Sequence, residues 1–213
     1  MEPTHAQLLS KALSYGILAG SLVYKLPQIL KIQQAKSAEG IAASAIVLEL
    51  LGATCATIYS FNNGYSFLTY GESCFVILFD LFILYQIMMF SLGGISTNGV
   101  AATFLYAAGL YYCLSGALPP NTLQFLQLSV TPLVISSRIP QVLANYKNGS
   151  TGQLSFVTFF LNFGGSLARV FTTVTETADP LVLASYATAA LLNGIILAQI
   201  LYYWNVKPKD KKQ

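Results

Sequence analysis

Charged residues are scarce in this chain. Asp, Glu, Lys and Arg make up 9% of its 213 residues, whereas hydrophobic residues make up 54% and the mean hydropathy is +0.60. A soluble domain is usually about 25% charged, so this composition cannot cover a water-soluble surface. At roughly 20 residues per spanning helix, the chain has room for about seven spans and little else. The composition therefore predicts an all-α membrane protein.

Histidine and paired cysteine residues, on which many catalytic and metal sites depend, are nearly absent. His5 is the only histidine, which excludes a histidine-based triad and a multi-histidine metal site. Cys55, Cys74 and Cys113 lie inside apolar stretches without a Cys-x-x-Cys pair, as small apolar filler does. No nucleophile sits beside a usable base. We therefore expect no enzyme activity, no catalytic residue, no metal, no cofactor and no nucleic-acid partner.

What the chain has is a series of long apolar runs separated by turn-forming residues. The stretches 62–64, 93–94 and 179–180 are breakers of this kind. The runs are too long and too continuous for barrel strands, which alternate over about ten residues. The predicted spanning helices are residues 11–31, 41–61, 67–90, 97–115, 121–145, 153–174 and 180–204.

Cations concentrate on the side of the membrane that is predicted to hold the C-terminus. The positive-inside rule places that side in the cytosol and the N-terminus in the lumen or outside. Lysines at the third and fifth positions from the end, Lys211 and Lys209, resemble the dilysine retrieval signal of endoplasmic reticulum membrane proteins. A plain basic flank that fixes topology is the alternative. The cations on this side are Lys31, Lys36, Lys147, Lys207, Lys209, Lys211 and Lys212.

The dipeptide Pro-Gln occurs twice, each time just after a cation and near the end of an apolar run. Lys25 precedes Pro27 and Gln28, and 113 residues later Arg138 precedes Pro140 and Gln141. A proline inside a helix removes one hydrogen bond and kinks the helix. The glutamine can satisfy backbone groups that the kink sets free. We therefore predict Pro27, Gln28, Pro140 and Gln141 to be hinges, with ordinary packing prolines as the alternative.

The same offset aligns further positions of the two halves. Helices one to three match helices five to seven, and a single linker helix between them keeps both triplets in the same orientation, which makes a parallel repeat. The aligned pairs include Leu48 with Leu161, Glu49 with Asn162, Gly52 with Gly165, Asp80 with Asn193 and Gln86 with Gln199. The predicted divisions are a lumenal tail (1–10), a first repeat (11–90), a linker helix (91–120), a second repeat (121–204) and a cytosolic tail (205–213).

Ionisable side chains within spans are costly and are candidates for function. Counted from the predicted span starts, Lys25, Glu49 and Asp80 have similar depths near the membrane centre, which predicts a network of one cation and two carboxylates. Glu72 and Arg169 share a depth near the lumen on opposite bundles. They are predicted to be either a structural pair or a lumenal gate.

These features resemble the PQ-loop family, whose members include the SWEET sugar uniporters. Within that family the longer blocks are most similar to the mannose-P-dolichol utilization defect group. The resemblance implies two parallel three-helix repeats joined by a linker helix, as in the SWEET fold. The blocks that carry it are residues 25–28, 35–40, 48–50, 148–155, 164–169, 176–180 and 203–205.

The resemblance also implies a role in using dolichol-phosphate-mannose and dolichol-phosphate-glucose in N-glycan precursor, GPI anchor and mannosylation pathways. A flippase or scramblase that moves these lipids is the leading hypothesis. A small-solute transporter and a chaperone that presents the lipid to lumenal glycosyltransferases are the alternatives. Cations would compensate the phosphate and polar groups would hydrogen-bond the sugar. The predicted substrate-binding residues are Lys25, Glu49, Asp80, Arg138, Asn162, Arg169 and Asn193.

Overall fold

The computed structural model describes residues 4–39, 41–91, 94, 97–151 and 154–204, and within these ranges it contains helices and no strands. The predicted retrieval signal, Lys209 and Lys211, lies outside the described residues. The helices are α1 (His5–Val23), α2 (Leu26–Ala35), α3 (Ala43–Asn62), α4 (Phe67–Ser91), α5 (Thr97–Leu114), α6 (Pro120–Asn148), α7 (Phe156–Glu176) and α8 (Pro180–Tyr202). The all-α prediction is confirmed, and six of the seven predicted spans agree with single helices to within a few residues.

The first predicted span is broken into α1 and α2. Helix α1 ends at Val23, the residue whose carbonyl would accept the backbone N–H of residue 27 in a continuous helix. Pro27 has no such N–H and lies in the first turn of α2, where a proline is well tolerated. The break therefore falls where proline removes the hydrogen bond, with Tyr24 and Lys25 between the two helices.

The second Pro-Gln pair does not break its helix. Helix α6 runs from Pro120 to Asn148 without interruption, although it contains Pro132 and Pro140. The same dipeptide thus has two different local outcomes. The two Pro-Gln sites were predicted to kink their helices in the same way, but only the first interrupts its helix. The hinge roles of these residues stay predictions.

The surface of the described residues is that of a membrane protein. Exposed side chains include many large apolar residues, such as Leu105 at 70% and Tyr111 at 79% exposure, whereas polar groups such as Asp80 and Gln86 are fully buried. In water the reverse distribution would be expected. Three of the described helices are long and apolar enough to cross a bilayer by length and composition alone: Ala43–Asn62, Phe67–Phe90 and Pro180–Tyr202.

The chain divides into two compact units, and the boundaries between them fall within α1, after Ser10, and within α6, after Val130. The amino-terminal unit comprises residues 11–130, in which α3 packs against α4 and α5, and α2 packs against α4. The carboxyl-terminal unit comprises residues 1–10 and 131–213, in which α7 packs against α8. Each unit has its own apolar core, around Ile29 and Ile83 in one and around Phe159 and Ile196 in the other. The predicted domain limits at 90 and 120 are not tested by this division.

Corresponding helices of the two units end in the same way. Lys36 follows α2 with φ of 47°, and Gly149 follows α6 with φ of 58°. These residues are 113 positions apart, so the repeat extends to the left-handed residue that ends each helix. Lysine takes this conformation at a steric cost that glycine avoids.

Candidate functional site

Three ionisable side chains meet in the amino-terminal unit. Lys25, at the break before α2, places its Nζ 2.9 Å from Oε2 of Glu49 on α3 and in contact with Oδ1 of Asp80 on α4. The Lys25 and Asp80 side chains are 3% and 0% exposed, whereas Glu49 is 42% exposed. The structure therefore brings together the three side chains whose depths matched in the sequence. Their role in ligand binding stays a prediction.

The network continues from these three residues toward the surface of the unit. The Tyr24 hydroxyl donates a hydrogen bond to Oε1 of Glu49 at 2.6 Å, and Tyr24 is half exposed. At the other end, Oδ2 of Asp80 is buried and accepts no hydrogen bond from the described residues. A buried acceptor left without a donor costs free energy, so this oxygen is suited to a donor such as a sugar hydroxyl.

The corresponding positions of the carboxyl-terminal unit carry different charges. Arg138 replaces Lys25, and Asn162 and Asn193 replace the two carboxylates. Asn193 donates through Nδ2 to Oγ of Ser166 at 3.0 Å and to the Asn162 carbonyl at 3.5 Å. One cation with two carboxylates has a formal charge of −1, whereas one cation with two amides has +1. The two repeats therefore have polar residues at the same three positions, but the net formal charge of these residues has the opposite sign.

Arg138 also has an aromatic contact. Its guanidinium carbon lies 5.8 Å from the centroid of the Phe159 ring on α7. Arginine stacked on an aromatic face keeps its planar fork of donors oriented. The residue is half-buried, and its position supports the predicted role in holding an anion without testing it.

Helix α7 carries a run of polar residues along one face, most of them buried or half-buried. Arg169 is 3% exposed, and Thr172 and Thr173 beside it are 2% and 1% exposed. The spacing of the polar residues follows one helical face. That face carries Asn162, Ser166, Arg169, Thr172 and Thr173, and it ends at the exposed Glu176. The exposed apolar residues are Val157, Phe160, Leu161, Leu167 and Val174.

The predicted gate residues lie in different units. Glu72 is on α4 and Arg169 is on α7, so their pairing stays a prediction. Within the carboxyl-terminal unit, Glu176 instead accepts a hydrogen bond from Oγ of Ser10 at 2.6 Å. Sequence analysis missed this contact, because nothing in the pattern associates the start of α1 with the end of α7.

The predicted hinge glutamine of the second repeat, Gln141, takes part in an amide network. Gln141 donates through Nε2 to Oδ1 of Asn145 at 2.8 Å, and Asn145 donates through Nδ2 to Oε1 of Gln199 at 2.8 Å. Gln199 in turn donates to the Val142 carbonyl at 3.0 Å. The sequence indicated Gln199 only through its alignment with Gln86, and the contacts of both residues were not predicted. Within the described ranges, no three His, Cys, Asp or Glu side chains are grouped as metal ligands.

Comparisons with known proteins agree with the internal repeat. A family model described as the PQ loop repeat matches residues 9–69 and 122–182, together more than half of the chain. The human protein Solute carrier family 66 member 3 is 27% identical over 190 residues, which cover 89% of this chain and 92% of that protein. The structure of a eukaryotic SWEET transporter covers 92% of this chain and 99% of its own, with a TM-score of 0.66 and 15% identity. The likeness to the SWEET structure confirms the predicted fold. These comparisons do not specifically identify the predicted dolichol-related group.

Proposed function

This chain belongs to the PQ-loop repeat family, and from that membership we propose that it is a membrane transporter rather than an enzyme. The proposed cargo is a lipid-linked sugar phosphate, namely dolichol-phosphate-mannose and dolichol-phosphate-glucose. The protein would move the polar headgroup across the bilayer while the polyisoprenoid chain stays in the lipid. The proposed location is the endoplasmic reticulum membrane, with the N-terminus lumenal and the C-terminus cytosolic.

The observation that carries this proposal is the polar face of α7. Its buried and half-buried residues extend from Asn162 to Thr173, about 17 Å at 1.5 Å per residue, which is more than half of a hydrocarbon core of about 30 Å. Buried polar groups in a membrane helix are expected where they line a path for polar cargo. The exposed apolar residues on the opposite face of α7 suit contact with lipid. A polar headgroup could therefore follow this face while its chain remains outside.

The charges favour a particular division of roles. Lys25 already contacts two carboxylates, so its charge is offset within its own unit. We assign the phosphate to Arg138 and Arg169, which lie in the same unit, because the guanidinium group can donate two parallel hydrogen bonds to a phosphate. Within the same carboxyl-terminal unit, the amide of Asn193, whose buried Oδ1 accepts no hydrogen bond from the described residues, is assigned to a sugar hydroxyl.

A small-solute transporter is the second candidate. The SWEET-like fold and the solute-carrier relative both favour it. This candidate predicts that a water-soluble sugar or amino acid crosses the membrane and that lipid-linked sugars do not. A chaperone that presents the lipid to lumenal glycosyltransferases predicts binding without movement.

The test uses the purified full chain in liposomes with a short-chain dolichol-phosphate-mannose analogue and a reagent that modifies only outward-facing lipid. We expect wild-type protein to accelerate movement of the analogue. Arg169→Gln should slow movement by about tenfold or more, the factor for a lost charge-assisted hydrogen bond. The matched control is Lys147→Gln, which removes a cation from the exposed end of α6 and should leave the rate unchanged.

Two other outcomes would overturn the proposal. If the protein binds the analogue but the analogue crosses the bilayer no faster than in empty liposomes, the protein presents the lipid and does not move it. Passage of a soluble sugar, with the lipid analogue neither bound nor moved, would identify a small-solute transporter.

A further inference from the structure

One side-chain hydrogen bond occurs twice in this molecule, once in each unit. Gln86 on α4 donates through Nε2 to the Ile29 carbonyl at 3.1 Å. Gln199 on α8 donates through Nε2 to the Val142 carbonyl at 3.0 Å. Each carbonyl lies two residues beyond the proline of its Pro-Gln pair. The two donor residues are 113 positions apart, and so are the two acceptor residues, so the bonds lie at equivalent positions of the repeat.

The bond is not a repair of the missing proline N–H. The carbonyls that lose a backbone donor are those four residues before each proline, at Val23 and Ser136. The glutamines instead reach carbonyls on the far side of the proline, within the helical segment that follows it. Their effect is to connect that segment to α4 in the amino-terminal unit and to α8 in the carboxyl-terminal unit.

Gln86 lies in an apolar environment, where a polar side chain costs free energy that an apolar side chain would not. Gln86 is 0% exposed, and Ile83 and Ile87 on the same helix belong to an apolar core cluster with Ile29. The Nε2 group of Gln86 is hydrogen-bonded, whereas its buried Oε1 accepts no hydrogen bond from the described residues, and an apolar side chain of the same size would avoid that cost. Nevertheless both units have glutamine here, whereas the equivalent positions 80 and 193 on the same two helices differ, with Asp in one and Asn in the other.

Each tie is reinforced by a second amide on the Pro-Gln helix. Gln86 also donates to Oε1 of Gln33 at 3.2 Å, and Gln199 accepts from Asn145 at 2.8 Å. In the carboxyl-terminal unit Asn145 accepts from Gln141, so the Pro-Gln glutamine itself is linked to α8 through one intermediate. The details differ between the units, but the bond to the backbone carbonyl is the same.

We propose that Gln86 and Gln199 are paired latches, positioning residues that hold the segment after each Pro-Gln pair against α4 in the amino-terminal unit and against α8 in the carboxyl-terminal unit. Their contribution to movement of cargo rests on the proposed function. The latch itself does not, because it concerns the local stability of residues 26–35 and 140–148.

The first test measures amide hydrogen exchange of the full chain in detergent micelles. Gln86→Met and Gln199→Met keep the length of the side chain and remove its donor. We expect exchange to rise about fivefold, the factor for one hydrogen bond of typical net strength, in residues 26–35 for the first variant and in 140–148 for the second.

The matched controls are Ile83→Val and Ile196→Val. These residues are also 113 positions apart and 0% exposed, and they lie one turn before each glutamine. Each control removes a buried methyl group and no hydrogen bond. If the controls raise exchange in the same segments as much as the Met variants do, packing explains the effect and the latch is overturned. Unchanged exchange in both Met variants would overturn it as well.

The second test places the same four variants in the liposome assay. We expect the Met variants to slow movement of the lipid analogue about fivefold without changing its binding affinity, because positioning and not ligand contact is lost. Local exchange that rises while the rate stays at the wild-type value would overturn the role in transport. If wild-type protein moves no lipid, the proposed function fails, and the exchange measurement alone decides whether the latches exist.

Discussion

Lys36 and Gly149 occupy the same position of the repeat and adopt the same left-handed conformation, with φ of 47° and 58°. An added Cβ at Gly149 would meet no atom of the described residues within 4 Å, so the only penalty for a side chain there is conformational. The amino-terminal unit accepts that penalty with a lysine. The two residues therefore compare a side chain with no side chain in the left-handed conformation at one position of the repeat.

Replacing Lys36 with glycine should stabilise the protein. The change removes the steric cost of a Cβ in the left-handed region, for a gain of about 1 kcal/mol or less. Gly149→Ala should cost about 1 kcal/mol for the same reason. The measurement is the thermal unfolding midpoint in detergent. Lys36→Ala, which removes the charge but keeps the Cβ, should give no gain, and a gain there would attribute the effect to charge.

Removing Lys25 should destabilise the amino-terminal unit strongly. Lys25→Met leaves the fully buried Asp80 without its cation, and an uncompensated buried charge costs about 3–5 kcal/mol. Adding Asp80→Asn should recover part of the loss, because Asn is the residue at the equivalent position 193. A double-mutant cycle of unfolding free energies measures this coupling. Additive losses would mean that the two side chains do not stabilise one another.

The start of α8 depends on one carboxylate. Oδ1 of Asp179 accepts from the backbone N–H groups of Leu181 at 2.8 Å and Val182 at 3.1 Å, as an N-cap does. Asp179→Ala should lower the free energy of unfolding by about 1 kcal/mol, whereas Asp179→Asn, which keeps the acceptor, should lower it less. Equal losses in the two variants would show that charge, and not capping, determines the effect.

Gly71 is a position where a side chain would collide with its neighbours. An added Cβ would lie 2.7 Å from Cε1 of Phe67 and 2.8 Å from Cδ1 of Leu18. At Gly109 on α5 nothing in the described part of the chain lies within 4 Å. We expect Gly71→Ala to be less stable than Gly109→Ala by about 1–3 kcal/mol, since both gain helix propensity and only one is overpacked. The unfolding midpoints of the two variants, measured together, test this difference.

The helices and the first polar cluster were predictable because they depend on local pattern and depth. Apolar runs and breakers defined the spans, and equal depth placed Lys25, Glu49 and Asp80 together. Close packing at the Gly16-x-x-x-Gly20 pattern would also be expected from sequence. That expectation is wrong, because an added Cβ at either glycine meets no described atom within 4 Å.

The break at Tyr24 and Lys25 could not be predicted from the Pro-Gln motif, since the identical motif leaves α6 continuous. Whether a helix breaks at a proline depends on how its neighbours hold the segments on either side, and that is a tertiary property. The two glutamine-to-carbonyl bonds escaped prediction for the same reason. Alignment marked Gln86 and Gln199 as equivalent, but the atoms that they contact are defined only by helix packing.

The reversal of charge between the repeats restricts how such a protein can be assembled. Two copies of the first repeat would double a negative cluster within the membrane, and two copies of the second would double a positive one. Only the unlike pair is electrically balanced at these six positions. A symmetric dimer of either repeat would therefore carry a formal charge of −2 or +2 at these positions, whereas the fused chain carries none.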